Sequence, residues 1–284
     1  MPFPDSIESA PLLARGTTAD VYAWGVGHVL KLFRECTPFH ANEVAATRVA
    51  HAAGLPVPDV IDGLIEVGGQ QGIVFERIDG PTMVEYIDEH PAEAEICAQQ
   101  AAELHAQIHS TQVLELIPLM QILTWSIQQA GPLDNRTRQA VLDVLHRLPT
   151  EEALCHSDFY PHNIIVSARG PIVIDWAIGA RGSAIGDHAR TWLISKLWLG
   201  DSEEKQACVH MKPVWRRFWT TYFRRYRQLH PFASEIFSHW QIVAATVTLA
   251  WERDRPPTDR QVSFIEAALN GKEHPWLSGT GTCA

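Results

Sequence analysis

One short stretch of the chain concentrates side chains that can do chemistry. Asp158 and Asn163 lie in a loop that follows a β-prone segment, and a predicted hairpin over residues 164–174 then leads directly to Asp175. A carboxylate, an amide and a second carboxylate can converge at such strand ends. Amide and carboxylate oxygens suit Mg²⁺, which keeps substrate phosphates as further ligands. A carboxylate that does not bind the metal can orient a hydroxyl and accept its proton, so the stretch predicts phosphoryl transfer.

Each residue of this stretch also has a simpler interpretation. Asp158 could be an aspartate that caps a turn, and Asn163 could form an ordinary Asx turn. Their mutual spacing, with Asp175 twelve residues after Asn163, favours the catalytic interpretation. We therefore predict that Asp158 is the catalytic residue and that Asn163 and Asp175 are the metal ligands. His156 is expected to brace the loop by hydrogen bonding.

A lone lysine, Lys31, interrupts an apolar strand between Leu30 and Leu32. Lysines are common on exposed edge strands, where they discourage edge-to-edge pairing. Alternatively, Lys31 contacts the phosphates of a nucleotide and pairs with Glu43, twelve residues further on in the next predicted helix. The cluster around Asp158 favours this second interpretation.

A polar turn, Gly16-Thr17-Thr18, precedes the Lys31 strand and is the candidate phosphate loop. It holds one glycine only, so a plain hairpin turn is an equal alternative. Backbone amides and threonine hydroxyls could nevertheless donate hydrogen bonds to phosphate.

The elements that must position these residues fall into two regions. The first 80 residues are predicted as short strands, at 12–13, 21–24, 28–33, 60–67 and 72–76, with one helix from Thr37-Pro38 to about Ala53. The remainder is predicted as mostly helical, apart from a strand-rich island at 153–176. A turn signal, Asp79-Gly80-Pro81, separates the regions. We expect a nucleotide-binding lobe at 1–79 and a catalytic and acceptor-binding lobe at 80–284.

Composition limits the possible classes of protein. The chain has 284 residues, 46% hydrophobic content and a formal charge of −10. This apolar content excludes a wholly disordered chain, and the charge argues against a nucleic-acid partner. No segment is long and apolar enough to span a membrane, and the five cysteines form no CxxC pair. The N-terminus has no signal-peptide pattern, so a cytoplasmic location with reduced thiols is expected.

The pattern His156-x-Asp158-x₄-Asn163 followed by Ile174-Asp175-Trp176 resembles the catalytic loop and metal-binding aspartate of protein-kinase-like enzymes. It is more similar to the aminoglycoside phosphotransferase family of small-molecule kinases, which includes choline-kinase-like enzymes. Asp187-x-Ala189 and the segment 75–80 also resemble that family. Tyr160 and His162 depart from its usual pattern beside the expected acceptor pocket.

This resemblance implies an α+β, two-lobed, protein-kinase-like fold. A small antiparallel-sheet lobe with one main helix would bind ATP, and a larger, mostly helical lobe would bind the acceptor. The Glu76 carbonyl and the Ile78 N–H would contact adenine, although the residues do not choose between ATP and GTP. The expected partners are Mg²⁺, the nucleotide triphosphate and a small molecule that bears a hydroxyl, such as an aminoglycoside or a similar amino alcohol.

Two other functions compete with this prediction. His156, Asp158, His162 and His188 could instead bind zinc for a hydrolase, although this leaves Lys31 and Asp175 unused. A catalytically silent pseudokinase that acts as a nucleotide-binding scaffold is the second alternative, but all the predicted catalytic positions are present.

Overall fold

The computed structural model describes residues 7–37, 39–199, 210–251, 259–272 and 274. The chain divides into two compact units, Met1–Met83 with His162–Gly179, and Val84–Pro161 with Ala180–Ala284. The first unit therefore includes a segment from the second half of the sequence. The expected functional division at 79/80 stays a prediction.

The first unit contains a five-stranded antiparallel sheet in the order β1-β2-β3-β5-β4. Helix α1 follows β3, and its start near Thr37 agrees with the prediction, although Pro38 lies outside the described residues. The tight turn at Gly68-Gly69 joins β4 to β5, and both glycines have positive φ, which explains this residue choice. The elements are β1 Leu12–Arg15, β2 Ala19–Ala23, β3 His28–Phe33, α1 Phe39–Ala52, β4 Val60–Val67 and β5 Gln70–Glu76.

The sheet buries apolar side chains on both of its faces. Leu30, Leu32 and Val74 belong to one cluster, whereas Phe33 and Ile73 belong to the other. Successive side chains of a strand point to opposite faces, so Lys31 lies on the face opposite Leu30 and Leu32. The strand pattern thus decides which side of the sheet receives the ammonium group.

A hairpin of β7 Ile164–Ser167 and β8 Gly170–Val173 completes this unit. The Val166 N–H donates to the Pro81 carbonyl at 2.9 Å, which ties the hairpin to the chain that follows β5. Gly80 makes this approach possible: its φ is 147°, and a Cβ atom there would lie 2.2 Å from the Val166 carbonyl oxygen.

The second unit is mostly helical. Its two short strands pair with each other, and its longest helices form the hydrophobic core, with α3 packed on α7 and α6 on α8. The elements are α2 Met83–Glu89, α3 Ala94–His109, α4 Leu119–Gln128, α5 Asn135–Arg147, β6 Ala153–Cys155, β9 Ala180–Gly182, α6 Ala184–Leu199, α7 Lys212–Leu229, α8 Ser234–Trp251 and α9 Asp259–Leu269.

The aromatic residues of α7 contribute to the hydrophobic core of the second unit. Phe218, Trp219 and Tyr222 are completely buried. None of the described helices is long and apolar enough to cross a membrane. Cys36, Cys97 and Cys155 are free thiols, while Cys208 and Cys283 lie outside the described residues.

Candidate active site

Lys31 lies between two carboxylates, Glu43 and Asp175, in the first unit. Its Nζ atom donates to Glu43 Oε1 at 2.7 Å and to Asp175 Oδ1 at 3.0 Å. The expected ion pair between Lys31 and Glu43 is therefore present, and the structure adds Asp175 to it.

The position of Lys31 in the sheet excludes the alternative of an exposed edge lysine. β3 lies between β2 and β5, and only 14% of the Lys31 side chain is exposed. The facing helix presents Glu43, Ala46, Thr47 and Ala50 as its buried stripe, at the i, i+3, i+4, i+7 spacing of one helix face. Glu43 is the acidic member of that stripe, so it meets Lys31 inside the unit.

Burial and charge act against each other in this cluster. Burial alone would lower the pKa of Lys31, but the carboxylates of Glu43 and Asp175 outweigh it and raise that pKa. Burial raises the pKa of Glu43 to about 7, against the opposing effect of Lys31. The ammonium group thus stays charged, while Glu43 can take up a proton near neutral pH.

The backbone of the hairpin brings the two predicted metal ligands together. The Ile174 N–H donates to the Asn163 carbonyl at 3.0 Å, so Asn163 and Asp175 flank the open end of the β7–β8 ladder. Asp175 has a φ of 64°, in the left-handed region that few non-glycine residues adopt. Its side chain is 42% exposed, and an amide next to a partly exposed carboxylate suits a hard cation such as Mg²⁺.

The candidate phosphate loop is held by an arginine that the sequence did not single out. Arg34 Nη1 donates to the carbonyls of Gly16 at 2.8 Å and Thr17 at 2.6 Å, and its Nη2 pairs with Asp20. Thr17 and Thr18 are exposed on the turn between β1 and β2. Arg34 thus connects the turn between β1 and β2 to the end of β3.

The predicted adenine contacts lie at the end of β5. Glu76 is its last residue, and the Glu76 side chain pairs with Arg169 at 2.9 Å. Ile78 follows in a half-buried, irregular segment. Both residues belong to the same unit as Lys31, and their contact with a nucleotide stays a prediction.

Asp158 belongs to the second unit, in the loop after β6. The Asp158 N–H donates to His156 Nδ1 at 3.2 Å, so His156 braces the loop as expected. Arg190 of α6 lies close to the carboxylate, with 3.6 Å between Arg190 Nη2 and Asp158 Oδ1. Two residues after Asp158, the Tyr160 ring meets Trp198 of α6 edge to face, with 6.2 Å between ring centroids.

A buried aspartate, Asp187 of α6, anchors the backbone just before Asp158. Asp187 Oδ2 accepts from the His156 N–H at 2.6 Å, and Oδ1 accepts from the Ser157 N–H at 2.9 Å. Ser157 has a φ of 67°. Among the described residues, Ser157 and Asp175 are the only non-glycine residues with a positive φ. This kind of backbone strain is therefore confined to the two candidate catalytic segments.

Two histidines and two tyrosines enclose this aspartate. His105 Nε2 lies 3.4 Å from Asp187 Oδ2, and His109 Nε2 lies 3.1 Å from the same oxygen. The Nδ1 atoms of these rings lie 2.6 Å from the hydroxyl oxygens of Tyr222 and Tyr226, respectively. The two histidines are spaced i, i+4 on α3, and the two tyrosines are spaced i, i+4 on α7. This spacing places each pair on one face of its helix, and it is visible in the sequence.

The charges of this network follow from burial. Burial alone would raise the pKa of Asp187, but hydrogen bonds from His105 and His109 outweigh it and hold that pKa well below its usual range. Burial lowers the pKa of His105 to about 3. His105 is thus neutral, so Nε2–H donates to Asp187 while Nδ1 accepts from Tyr222.

The residues predicted to bind zinc in a hydrolase, His156, Asp158, His162 and His188, do not form a cluster of metal ligands. Within the described residues, the only group of three or more potential metal ligands with close ligand atoms is His105, His109 and Asp187. His156 Nδ1 instead accepts the Asp158 N–H, and His188 stacks on Tyr226 at 3.8 Å. The hydrogen bonds to both tyrosines satisfy the buried histidine pair without a metal.

Comparisons with solved structures show the fold. The structure of a thermostable mutant of aminoglycoside phosphotransferase APH(4)-Ia, with AMP-PNP and hygromycin B, has a TM-score of 0.64 and 16% identity, covering 92% of this chain and 93% of that one. ADP-bound APH(2'')-Ib has a TM-score of 0.55 and 13% identity, covering 93% of both chains. A choline/ethanolamine kinase family protein from Mesorhizobium loti has a TM-score of 0.55 and 15% identity, covering 94% of this chain and 87% of that one. These likenesses confirm the predicted protein-kinase-like fold.

The sequence itself also matches a family model. No curated protein matches the chain. The model described as "Phosphotransferase enzyme family" matches residues 10–218, which include every predicted site residue. The chain therefore belongs to the phosphotransferase enzyme family.

Proposed function

We propose that the protein is a small-molecule kinase that transfers the γ-phosphoryl group of ATP to a hydroxyl of a small acceptor, with Mg²⁺ as cofactor. One observation carries this proposal: the buried Lys31 ammonium is shared between Glu43 and Asp175. A lysine held between two carboxylates provides a fixed positive charge beside a predicted metal ligand. Phosphoryl transfer needs this combination of positioning and charge neutralisation.

The first unit would supply the nucleotide half of the reaction. Lys31 would contact phosphate oxygens, with Glu43 holding the ammonium in place. The amides and hydroxyls of Gly16, Thr17 and Thr18 would donate to phosphate, while the Glu76 carbonyl and the Ile78 N–H would contact adenine. ATP is the preferred assignment because similar structures contain AMP-PNP and ADP. GTP is the alternative to test.

Asn163 and Asp175 would hold the magnesium ion. Their oxygen donors fit a hard cation, and Asp175 is the more exposed of the two. When bound, the ion neutralises charge on the phosphates during transfer. The Lys31 ammonium, 3.0 Å from Asp175 Oδ1, would offset part of the repulsion between this carboxylate and the phosphates.

Asp158 would act on the acceptor. Its carboxylate would orient the reacting hydroxyl and accept its proton, while His156 and Asp187 hold the loop. Hydroxyl-bearing small molecules are the acceptor class, since hygromycin B is bound in one similar structure and a choline/ethanolamine kinase family protein is another. The cytoplasmic location, with no nucleic-acid or membrane partner, is part of the same proposal.

Thermal unfolding with nucleotide tests the first unit. Mg-ATP should raise the melting temperature, because a ligand that binds only the native state stabilises it. Asp175→Asn should remove most of the magnesium-dependent part of this increase. Asp62→Asn, at an exposed position of β4, is the matched control. An unchanged magnesium response in folded Asp175→Asn protein would contradict the metal assignment.

An acceptor screen tests the transfer itself. Nucleotide consumption is measured with sugars, aminoglycosides, amino alcohols and hydroxy acids, and phosphorylated products are identified by mass. If Mg-ATP binds but is neither hydrolysed nor used to phosphorylate any acceptor, the pseudokinase alternative replaces the proposed function. Zinc that resists a chelator and supports hydrolysis would instead favour the hydrolase.

A further inference from the structure

Arg190 of α6 lies beside Asp158, the predicted catalytic carboxylate of the second unit. Its Nη2 atom lies 3.6 Å from Asp158 Oδ1, within ion-pair distance. Among the described residues, Asp158 is the only carboxylate paired with Arg190. The side chains are 21% exposed for Arg190 and 29% exposed for Asp158, so a small molecule can reach both.

The guanidinium group has a fixed position. Arg190 Nη1 donates to Thr248 Oγ1 of α8, and the Thr248 hydroxyl donates to the Ala244 carbonyl at 3.2 Å. Thr248 is 1% exposed. A planar guanidinium anchored on one side by a buried hydroxyl keeps its other donors directed at a constant place.

This position changes the electrostatics around the reacting hydroxyl. A lone carboxylate would attract an ammonium group next to the hydroxyl that it activates. With Arg190 at ion-pair distance, the Asp158 charge is balanced, and an ammonium group would meet a like charge at close range. Hydroxyl and carboxylate oxygens can instead accept hydrogen bonds from the guanidinium.

We propose that Arg190 is a specificity-determining residue, which selects acceptors whose reacting hydroxyl is flanked by hydroxyl or carboxylate groups rather than by an amine. This inference rests on the proposed function and narrows its acceptor class. It places sugar-like polyols and hydroxy acids ahead of amino alcohols. Ammonium groups further from the reacting hydroxyl are not affected, since the interaction weakens with distance.

Matched acceptor pairs test the preference. Glycerol is compared with 2-amino-1,3-propanediol, and glucose with 2-amino-2-deoxyglucose, by kcat/KM for phosphoryl transfer. We expect the wild type to favour the hydroxyl member by about tenfold or more. Arg190→Gln should reduce that ratio about tenfold, with Mg-ATP affinity kept within about twofold. Thr248→Val should give an intermediate ratio, because Arg190 remains but loses its anchor.

Arg225→Gln is the matched control, since Arg225 pairs with the exposed side chain of Glu103 at 2.6 Å on the α3–α7 surface. If no pair member is phosphorylated, calorimetry with a non-hydrolysable ATP analogue measures the preference as the ratio of the two dissociation constants, which should change in the same direction. A wild-type preference for the amino members, or a ratio that Arg190→Gln leaves unchanged, would overturn this inference alone. Absence of transfer to any acceptor and to water would overturn the proposed function, and this inference with it.

Discussion

The Ser157 N–H donates to Asp187 Oδ1 at 2.9 Å, and Ser157 holds a φ of 67° directly before Asp158. A left-handed conformation at a residue with a side chain is costly and persists only where surrounding contacts determine it. The buried Asp187 carboxylate provides such contacts. The geometry of the candidate catalytic loop therefore depends on a residue thirty positions away in sequence.

Asp187→Asn tests this dependence. An asparagine side chain offers one oxygen in place of two and turns an NH₂ group towards the backbone or histidine donors. We expect a loss of about 3 kcal/mol in the free energy of unfolding, because buried donors lose a charged acceptor. Urea unfolding at neutral pH measures the change.

The catalytic consequence is measured separately, at a temperature where the Asp187→Asn protein remains folded. The turnover number should fall more than the Mg-ATP affinity does, since the loop belongs to the acceptor half. Asp143→Asn, on the exposed side of α5, is the control for a surface aspartate. Wild-type stability in Asp187→Asn would mean that Asp187 does not hold the loop.

Asp158→Asn separates chemistry from binding. Asparagine keeps the size of the side chain and removes the charge that accepts the hydroxyl proton. We expect phosphoryl transfer to fall by about two orders of magnitude or more, as for a positioned base. Mg-ATP affinity, measured by titration, should stay within a few-fold of wild type. A collapse of nucleotide affinity would assign Asp158 to the metal instead.

Lys31→Met tests the buried ion pair of the first unit. The substitution removes a contact with phosphate, so Mg-ATP affinity should fall about tenfold or more. It also leaves Glu43 buried without its cation, which we expect to cost about 3 kcal/mol of unfolding free energy at pH 8. The cost should be smaller at pH 6, because Glu43 can then be protonated.

The double variant Lys31→Met/Glu43→Gln provides the control for that prediction. The introduced glutamine carries no charge, so the double variant should be more stable than Lys31→Met at pH 8 and should lose the pH dependence. Both variants should bind Mg-ATP equally weakly. Equal stability of the two proteins at pH 8 would show that the buried Glu43 charge costs nothing.

The sequence was sufficient to predict the site residues whose positions follow from local patterns of strands, helices and turns. The pairing of Lys31 with Glu43 was predictable because strand alternation and helix periodicity each assign one face. The same reasoning found the strands of the first unit's sheet, the hairpin before Asp175 and the bracing role of His156, but it missed β9.

The contacts that sequence reasoning missed connect separate helices. Asp187, His105 and Tyr222 come from α6, α3 and α7, and no local pattern indicates which of their faces meet. Arg190 was missed for the same reason, since its contact with Asp158 depends on where α6 lies in the second unit. Such contacts follow from tertiary packing, which periodicity alone does not specify.

The buried histidines predict how stability depends on pH. Burial lowers the pKa of His105 from its ordinary value of 6.5 to about 3. Between these values the unfolded chain binds a proton that the folded protein does not, so stability falls as the pH drops from about 6.5 towards 3. His188, whose pKa burial lowers well below 6.5, acts in the same direction.

His105→Gln measures the contribution of His105. Glutamine can offer an N–H to Asp187 and an oxygen to Tyr222 but takes up no proton. We therefore expect the urea midpoint of His105→Gln to fall less steeply than that of wild type between pH 6.5 and pH 5. His146→Gln, at an exposed position in the last turn of α5, should retain the wild-type slope. If both variants keep the wild-type slope, His105 takes up its proton as easily in the folded protein as in the unfolded chain. The assignment of His105 as a neutral, buried residue would then be wrong.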